Sequence, residues 1–585
     1  MTPPSSFILH AKRSSFRRWR LLLPLLLGLL FFLQVPGASS QEGEPIPAPV
    51  VVGMVEDRQG QPVAGAEVSI MPEGEGEPIA LAITQADGSY LLPIPNPIPE
   101  TPIVEIERSH FETEHIELDT EAAESLRRGQ SVLLPDTTLV RRVGPAFWLA
   151  TVLFLAVLGL IATGMLQNTM AALFGVAVVF LVSYLGPLLR EDLFIFDFQG
   201  ALRYVDWNVV FLIMGMMIVI AVVERTGIFQ WLAFTAYRIS RGRMWLLLVA
   251  LMLFTGVASA FLDNVTTMLL MTPISVQIAL ALGISPLALL MPEVMASNVI
   301  GISTLVGTPT NILIGSFADI SFNSFLVNLT PGVILAFAGL ALYSQWAYKG
   351  ELADAREASP AMLAQLEERG RITEPEHLKK AGIVGAGMLV LFVLGEQIHM
   401  VPAVTALLGA TALLLWIQPD IEEMIEAVDW TTLVFFITLF IVVGAIQEVG
   451  LISLIADMIA QVIGDNLILA IFVVTWLSAL FSTIIPNIPF TAAMLPVIAF
   501  LSATVPGAEG KVLFFCLSVG SALGGNGSLI GASANLVTSG IAERAGYPIS
   551  YIYFLKKGFP AMIITVGLAL IWLLIRFLVL GSAGA

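Results

Sequence analysis

The stretch Phe261-Leu262-Asp263-Asn264-Val265-Thr266-Thr267 places polar residues in the middle of a long apolar segment. A similar stretch, Ser482-Thr483-Ile484-Ile485-Pro486-Asn487-Ile488-Pro489-Phe490-Thr491, interrupts apolar sequence in the second half of the chain. An offset of 223 residues pairs Asn264 with Asn487, and it also pairs Asp206 with Asp429. The shared offset indicates that the chain contains an internal repeat.

A second polar stretch in each half keeps almost the same register. Residues 297–311 correspond, at an offset of 224, to residues 521–535, and this offset pairs Gly307 with Gly531. A chance resemblance would not keep one register over more than 120 residues. We therefore predict that two structural repeats make up most of the chain.

Composition defines the class of protein. The 585 residues are 57% hydrophobic and 12% charged, whereas a soluble domain carries about 25% charged residues. Apolar segments recur from about Pro145 to the C-terminus, which predicts an all-α polytopic membrane protein. The net charge of −17 argues against nucleic acid as a partner, and the single Cys516 excludes an intrachain disulfide.

The N-terminus has the three-part pattern of a secretory signal peptide. Five basic residues and no acidic ones precede the short apolar run Leu21 to Leu33, and small residues follow at 37–40. Cleavage near Ser40 and an uncleaved anchor are both compatible with this pattern. Either outcome places the following segment outside the cytoplasm.

That following segment, 41–142, is acidic and is predicted to be a small β domain. Short β-rich runs alternate with turn residues such as Asp87-Gly88. The pattern around Gly60, Gly65 and Asp87-Gly88-Ser89-Tyr90 resembles the carboxypeptidase regulatory-like β-sandwich, a non-catalytic family. The resemblance implies a stability or interaction module that contacts an exported protein, with capture of a ligand as the alternative.

The membrane part is predicted to consist of two inverted repeats. Each has about five transmembrane helices plus a re-entrant hairpin, an odd number of crossings, so the second copy must be inverted. The predicted inner loops hold thirteen Lys and Arg residues and the outer loops three, in agreement with the positive-inside rule. The predicted domains are a signal peptide at 1–40, an exported domain at 41–142, repeat 1 at 143–348, a cytoplasmic linker at 349–380 and repeat 2 at 381–585.

The four polar stretches are the predicted substrate or ion site. Gly and Pro break helices there, and the freed backbone groups are tolerated only where they line a cavity or pack in protein. Packing of small residues between helices is the alternative explanation for any single stretch. The predicted binding residues are Asp263, Asn264, Thr266, Thr267, Ser297, Asn298, Gly307, Thr308, Thr310, Asn311, Asn487, Thr491, Asn526, Ser528, Gly531, Ser533 and Asn535.

Two acids are candidates for coupling transport to a second ion, because a charge in the bilayer is costly unless it is used. Asp263 is the first candidate, with capping of a hairpin helix as its alternative. Glu293, which follows Pro292 in what is predicted to be the first turn of a helix, is the second. Neither has an acidic counterpart in the other repeat, where Pro486 and Leu517 occupy the equivalent positions.

An enzymatic function finds little support in the sequence. The five histidines form no HExxH pair, and no phosphate-binding GxxxxGK[ST] motif occurs. We therefore expect a protein without catalytic residues, resident metal or cofactor. Na⁺ or H⁺ is expected only as a transient coupling ion.

The stretches 261–270 and 297–311 resemble those of the ion transporter superfamily. They look closest to its branch of arsenite pumps, sodium–proton antiporters and the pink-eyed dilution protein, with divalent anion–sodium symporters and citrate-transporter-like permeases as more distant relatives. The resemblance implies unwound helices at 307–311 and 531–535, hairpin tips at Asn264 and Asn487, a homodimer and an elevator-type movement. Family members often carry an acid where this chain has Thr308.

The resulting prediction is an ion-coupled secondary transporter of small anions, such as citrate or a dicarboxylate, sulfate or arsenite, in the cell (inner) membrane. A Na⁺/H⁺ antiporter on the same fold is the first alternative. A membrane-anchored sensor whose β domain binds a ligand is the alternative from another class.

Overall fold

The computed structural model describes residues 49–58, 60, 62–71, 78–95, 98, 102–353, 368 and 370–581. The predicted signal peptide at 1–40 lies outside these residues. A β region comes first, and helices then occupy most of the chain from Pro145 onward.

The β region consists of short strands that pair into two sheets. The strands are β1 Val50–Asp57, β2 Glu67–Met71, β3 Ala80–Ile83, β4 Ser89–Pro93, β5 Ile103–Glu107, β6 Glu114–Glu117, β7 Val132–Leu133 and β8 Thr137–Leu139. One sheet has the order β4-β1-β7, with β8 also paired to β1, and the other has the order β3-β2-β5-β6. Helix α1, Thr120–Arg127, lies between β6 and β7.

Alternation along β1 explains how the β region folds. Every second residue of this strand is buried, as expected for a strand with one face on a core. Val51 and Val55 from the first sheet share that core with Val68, Val104 and Ile106 from the second. The predicted β character of this segment is thus confirmed, while its membership of the carboxypeptidase regulatory-like family stays a prediction.

The helices of the first half follow the predicted apolar segments. They are α2 Pro145–Thr163, α3 Asn168–Leu185, α4 Phe198–Arg203, α5 Trp207–Glu224, α6 Ile228–Ser240, α7 Met244–Ser259, α8 Asn264–Ala281, α9 Leu287–Gly301, α10 Pro309–Phe317, α11 Phe322–Ala347 and the short α12 Lys349–Ala353. The predicted polar interruptions fall between α7 and α8 and between α9 and α10.

The same succession of helices recurs in the second half. The helices are α13 Pro375–Leu394, α14 Pro402–Ile417, α15 Ile421–Glu426, α16 Trp430–Glu448, α17 Leu451–Ile463, α18 Leu467–Ile484, α19 Asn487–Thr504, α20 Val512–Gly524, α21 Ser533–Arg544 and α22 Tyr551–Leu574. Helix α13 already begins at Pro375, ahead of the predicted start of repeat 2 at 381. In the described part of the chain, ten helices are long and apolar enough to cross a membrane.

Two features differ from the sequence expectations. Residues 225–243, which hold four of the arginines assigned to the predicted inner loops, contain α6, in which Phe229, Ala233 and Ala236 are buried while Trp231, Arg238 and Ile239 are exposed. Glu293 lies in the interior of α9 and not in its first turn, because the helix begins earlier, at Leu287, and continues through Pro292.

Helices α5 and α16 lie side by side in opposite directions. At one end, the Tyr204 hydroxyl, just before α5, donates a hydrogen bond to Glu448 at the end of α16. At the other end, Arg225 Nη2 lies 2.7 Å from Glu423 Oε2, just before α16 begins. These equivalent helices of the two halves are therefore antiparallel.

The helices pack in two groups. Helices α3, α5, α14 and α16 pack against one another, whereas α7 to α11 pack with α18 to α22. Helices α6 and α17 connect the first group to the second, and each begins directly after a glycine with positive φ, Gly227 and Gly450. Both glycines adopt a left-handed conformation, which favours glycine because it has no Cβ.

Candidate functional site

Four helix N-termini meet at one cavity of about 1100 Å³. The cavity wall includes Thr266 from α8, Pro309 from α10, Pro486 beside α19, and Ser533 from α21. The first turn of a helix presents unpaired backbone N–H groups and the positive end of its dipole. The convergence of four such ends makes the cavity wall a suitable surface for an anion.

A side-chain cap distinguishes one of the four helix ends from the other three. Asp263 caps α8, because its Oδ1 accepts hydrogen bonds from the backbone N–H groups of Val265 and Thr266 at 2.9 and 3.0 Å. Its Oδ2 accepts one from the Thr266 hydroxyl at 2.5 Å. In the described chain, the N-cap residues of α10, α19 and α21 make no side-chain capping hydrogen bond.

The helix breaks before α10 and α21 depend on close glycine contacts. A Cβ on Gly307 would lie 2.4 Å from the Gly301 carbonyl oxygen, and one on Gly531 would lie 2.9 Å from that of Gly525. The unwound chain therefore folds back against the end of the preceding helix at a distance that only glycine permits. Each half has a helix break, but its position differs from the prediction: 309–311 and 533–535, predicted to be unwound, form the first turns of α10 and α21.

Polar side chains hold the two breaks in similar ways. The Thr304 hydroxyl donates to the Ala260 carbonyl oxygen, and the Ser528 hydroxyl donates to that of Thr483 at 2.5 Å. These bonds connect each break to the end of the preceding hairpin arm, α7 or α18. Hydrogen bonds of this kind satisfy backbone carbonyl groups that lipid could not.

The two asparagines that follow the breaks make equivalent hydrogen bonds. Asn311 Nδ2 donates to the carbonyl oxygens of Ile302 and Thr304 at 2.9 and 2.8 Å. Asn535 Nδ2 donates to those of Gly525 and Ser528 at 2.8 and 2.9 Å. Each asparagine therefore satisfies the free carbonyl groups of its own break.

A chain of buried asparagines joins the two halves. Asn264 Nδ2 donates to Asn298 Oδ1 at 2.6 Å, and Asn298 Nδ2 donates to Asn526 Oδ1 at 2.9 Å and to Asn535 Oδ1 at 3.3 Å. Asn526 Nδ2 in turn donates to the Met295 carbonyl oxygen at 3.2 Å. These predicted site residues form a shared polar network behind the cavity.

Most of the other predicted site residues make hydrogen bonds within their own helices. The hydroxyls of Thr267, Ser297 and Thr491 each donate to a carbonyl oxygen three or four residues earlier, those of Asp263, Val294 and Asn487. Thr308 and Thr310 hydroxyls lie 3.0 Å apart at the start of α10. The Asn487 backbone N–H donates to the Gly531 carbonyl oxygen at 3.1 Å, which ties the second hairpin tip to the second break.

The cavity wall carries acids. Glu224, Asp263 and Asp429 line it, whereas no described Lys, Arg or His does so. Asp429 also caps α16 by accepting hydrogen bonds from Thr432. No cluster of three or more His, Cys, Asp or Glu side chains in the described chain could hold a metal ion.

The cavity extends away from the β region. It reaches Gln167 between α2 and α3, Glu224 at the end of α5, and Asp429 at the start of α16. The opposite ends of α5 and α16 lie at Tyr204 and Glu448, where the β region is in contact. An 18-residue helix such as α5 is about 27 Å long, so the cavity mouth and the β region lie on opposite faces of the helical part.

Glu293 lies apart from the cavity wall. It is fully buried in α9, and its Oε2 accepts hydrogen bonds from the Ser275 and Thr255 hydroxyls at 2.9 and 3.3 Å. Its Oε1 has no hydrogen-bond partner among the described residues. The two coupling candidates therefore occupy different places, Asp263 on the cavity and Glu293 between packed helices.

Residues at the cavity mouth could not be identified from the motifs. Glu224, Gln167 and Thr432 line the cavity but lie outside the four polar stretches. The sequence signal for Asp429 was its neighbour Trp430, which identified a helix start and gave no indication of the cavity. Only the packing of α5 against α16 brings these ends to the same opening.

The comparisons identify the class of protein as a polytopic membrane transporter. The sequence model of the citrate transporter family, CitMHS, matches residues 153–520. This range covers more than half of the chain, and the chain belongs to that family. The resemblance implied that citrate-transporter-like permeases are more distant relatives. The match instead shows that they belong to this chain's own family.

Curated relatives are similar over most of the chain. The "Uncharacterized transporter Rv2684" of Mycobacterium tuberculosis is 37% identical over 432 residues, which cover 74% of this chain and 99% of that protein. The "46 kDa membrane protein" of Mycobacterium leprae is 36% identical over 433 residues, with the same coverage. The "P protein" of Homo sapiens is 32% identical over 537 residues, which cover 78% of this chain and 63% of that protein.

These similarities confirm several predictions made from the sequence. The chain is a multi-pass membrane protein of a transporter family and not an enzyme. The similarity to P protein agrees with the predicted kinship with the pink-eyed dilution protein.

Proposed function

We propose that the protein is an ion-coupled secondary transporter of small anions such as citrate or another dicarboxylate, sulfate or arsenite. One observation carries the proposal: the uncapped N-termini of α10, α19 and α21 converge on a single cavity. The positive ends of helix dipoles attract anions without a cationic side chain. The family description, citrate transporter, supports a carboxylate substrate.

Asp263 is the proposed coupling group. It lies on the cavity wall at the one capped helix end, where it can take up H⁺ or contribute a carboxylate oxygen to Na⁺. Protonation of Asp263, or binding of Na⁺ to it, would remove a negative charge next to the anion. Binding of the coupling ion and binding of the anion would therefore favour each other, as symport requires.

A Na⁺/H⁺ antiporter is the second candidate, and the acidic wall favours it. Glu224, Asp263 and Asp429 line the cavity without a described basic residue. Carboxylates attract cations along this route and repel a free anion. The two candidates therefore assign different roles to the same acid, since Asp263 is the binding site in one and the coupling group in the other.

The fold supports an alternating-access mechanism of inverted repeats. The antiparallel α5 and α16, the recurring order of helices and the paired breaks are the features that such a mechanism uses. We infer that the β region lies on the extracytoplasmic side of the cell (inner) membrane and that the cavity opens to the cytoplasm. Movement of the second helix group as an elevator, in a homodimer, is the accompanying proposal.

Transport by reconstituted protein tests the proposal. Uptake of citrate, succinate, sulfate, arsenite and Na⁺ would be measured in vesicles with and without a pH gradient. We expect one class of anion to accumulate only when an ion gradient is present. Exchange of Na⁺ for H⁺ without anion uptake would instead establish the antiporter, and no flux of any tested ion would refute both.

A further inference from the structure

The β region contacts the junction where α16 ends and α17 begins. Arg141 Nη1 donates hydrogen bonds to the carbonyl oxygens of Glu448 at 2.9 Å and Gln447 at 3.4 Å. A Cβ on Gly450 would lie 2.7 Å from Arg141 Cδ, so the side chain lies directly against this residue. A cation on the last carbonyl groups of a helix also complements the helix dipole.

A second arginine strengthens the same contact. Arg108 Nη2 lies 2.8 Å from Glu448 Oε1, and the Tyr204 hydroxyl donates to the other oxygen of that carboxylate. Glu448 is largely buried, with 13% of its side chain exposed. A charge pair with this degree of burial is worth more than one at an exposed surface.

The β region holds Arg141 in position for this contact. The guanidinium carbon lies 4.6 Å from the centre of the Phe111 ring, and Nη2 lies 3.7 Å from Asp57 Oδ2. Asp57 ends strand β1, and Phe111 forms an isolated bridge with Arg141 itself. The arginine is thus supported by its own sheet region and is not a mobile surface side chain.

The equivalent junction in the first half is held in a comparable way by another segment. The Thr373 backbone N–H donates to the Thr226 carbonyl oxygen at 3.0 Å, and its hydroxyl donates to that of Arg225 at 2.8 Å. A Cβ on Gly227 would lie 3.0 Å from the Arg371 carbonyl oxygen. The linker therefore satisfies the end of α5, as Arg141 satisfies the end of α16.

Space remains beyond the outer contact. A cavity of about 590 Å³ lies between the β region, at Arg108 and Phe111, and helix α19, at Pro496 and Phe500. Helix α19 belongs to the second helix group, which α17 connects to α16. The β region therefore contacts the α16–α17 junction and is separated from α19 by this cavity.

We propose that the β region is a clamp on the α16–α17 junction that stabilises the state in which the large cavity is open on the opposite face. The proposal rests on the proposed transport function only in assuming that this state exchanges with another. A ligand or domain shifts such an equilibrium only through contacts that differ between the two states. The contacts of Arg108 and Arg141 with Glu448 are the ones we assign to the cavity-open state.

Cysteine labelling measures the open state directly and needs no knowledge of the substrate. Ser533→Cys places a thiol on the cavity wall, while the native Cys516 is fully buried. A membrane-impermeant maleimide added from the cavity side then reports how often the cavity is open. The comparison is between this parent and the same protein carrying Arg108→Ala with Arg141→Ala.

We expect the double variant to label more slowly, by up to about tenfold, because charge-assisted hydrogen bonds of this kind shift the open–closed equilibrium constant by that order. Glu448→Gln removes the charge on the helical side of the contact and leaves the β region unaltered. This variant should also label more slowly than the parent. Arg128→Ala, which removes an exposed pair with Glu124 in the same domain, is the matched control and should label like the parent.

Equal labelling of the parent, the double variant and Glu448→Gln would overturn the clamp. Thermal unfolding of the purified variants shows whether each retains its fold. If the double arginine variant does not fold, the labelling of Glu448→Gln still tests the clamp. A protein with the expected labelling but no ion flux would refute the transport proposal and leave the clamp intact. Normal ion flux with unchanged labelling would refute the clamp and leave the transport proposal intact.

Discussion

The hairpin tips of the two halves have nearly the same backbone and different chemistry. Helix α8 begins after Asp263, whose carboxylate caps it, whereas α19 begins after Pro486, which offers no side-chain acceptor. Both helices start with asparagine and line the same cavity wall. The repeat therefore supplies a symmetric pair of helix ends, and one substitution makes them unequal.

Under the proposed function, this difference would let a symmetric scaffold couple two ions. Three uncapped helix ends favour an anion, and the one capped end keeps a carboxylate that can bind H⁺ or Na⁺ beside it. A fully symmetric cavity would either repel an anion at both hairpins or lack a coupling group. The asymmetry at 263 and 486 is thus the part of the structure with the clearest functional consequence.

Removing the charge at 263 should have the largest effect. Asp263→Asn keeps a capping oxygen for α8 but cannot be titrated, so we expect ion-driven uptake to fall to background while the protein still inserts. Uptake in vesicles with an imposed gradient is the measurement. Asp206→Asn is the matched control, because Asp206 caps α5 through the same kind of hydrogen bonds and does not line the cavity.

Coupled uptake at the parental rate in Asp263→Asn would mean that the acid is only a helix cap. Loss of uptake in both Asp variants would point to capping and not to charge. Only loss at 263 with retention at 206 supports the coupling role.

Adding a methyl group at the helix breaks should have the next largest effect. In Gly307→Ala the new Cβ meets the Gly301 carbonyl oxygen at 2.4 Å, whereas in Gly531→Ala the nearest atom, the Ser482 carbonyl oxygen, is at 2.7 Å. Overpacking against backbone costs about 1–3 kcal/mol or more, so both variants should melt earlier, the first more than the second. Thermal unfolding in detergent measures this.

Gly567→Ala is the control for these two variants, since a Cβ there meets no atom within 4 Å and α22 is a continuous helix. It should unfold at the parental temperature or above it. Equal stability of all three alanine variants would show that the close approach at the breaks is not what holds them.

Disrupting the asparagine network should lower stability by a smaller amount, and this network also differs between the two halves. Asn298 connects Asn264 to Asn526, while the equivalent position in the second half is Ala522. Asn298→Leu keeps the volume but removes the hydrogen bonds of Asn264 Nδ2 and Asn526 Oδ1 to Asn298, at a cost of about 1–3 kcal/mol for each buried polar group left unpaired. We expect a lower unfolding temperature than for Asn323→Leu, which removes an exposed bond to Val393. Identical melting of the two variants would contradict the network.

The smallest expected effect concerns pH at the β-region contact. His110 Nε2 lies 3.1 Å from the Ile195 carbonyl oxygen, and burial lowers the pKa of His110 below its usual 6.5, with Arg108 and Arg141 acting in the same direction and Glu448 opposing them. A lowered pKa means that docking favours neutral histidine. Docking should therefore be complete above about pH 6.5 and weaken as the pH falls below it.

Hydrogen exchange at the start of α17 checks this pH dependence, with His110→Gln as the comparison. The native protein should exchange faster at about pH 5.5 than at about pH 7.5 after correction for intrinsic rates. The glutamine variant should lose that difference. A pH difference of the same size in the glutamine variant would contradict the assignment to His110.

Much of the architecture could be predicted from periodic features. The offsets that pair Asn264 with Asn487 and Gly307 with Gly531 are visible in the sequence, because a broken helix requires Gly, Pro and polar residues at fixed places. Apolar length identified the spanning helices, and turn residues identified the β strands. These are local requirements, which one chain segment satisfies by itself.

The parts that could not be predicted depend on contacts between distant segments. Glu224 and Asp429 reach the cavity only because α5 and α16 are antiparallel neighbours, and Arg141 reaches Glu448 only because the β region docks at that end. Helices α6 and α17 have 13 residues each, too few for apolar length alone to identify them as membrane-associated helices. No local pattern encodes such contacts, so motif spacing could not identify them.

The central claim is that the helix ends around the cavity bind the transported anion. Protection of Ser533→Cys from maleimide by citrate, measured with and without the coupling ion, tests it most directly. We predict that citrate slows labelling at Ser533, that a coupling ion strengthens the protection, and that in Asp263→Asn citrate still protects but the coupling ion no longer changes the protection. Uptake of citrate by vesicles without any protection at this position would place the anion elsewhere and contradict the claim.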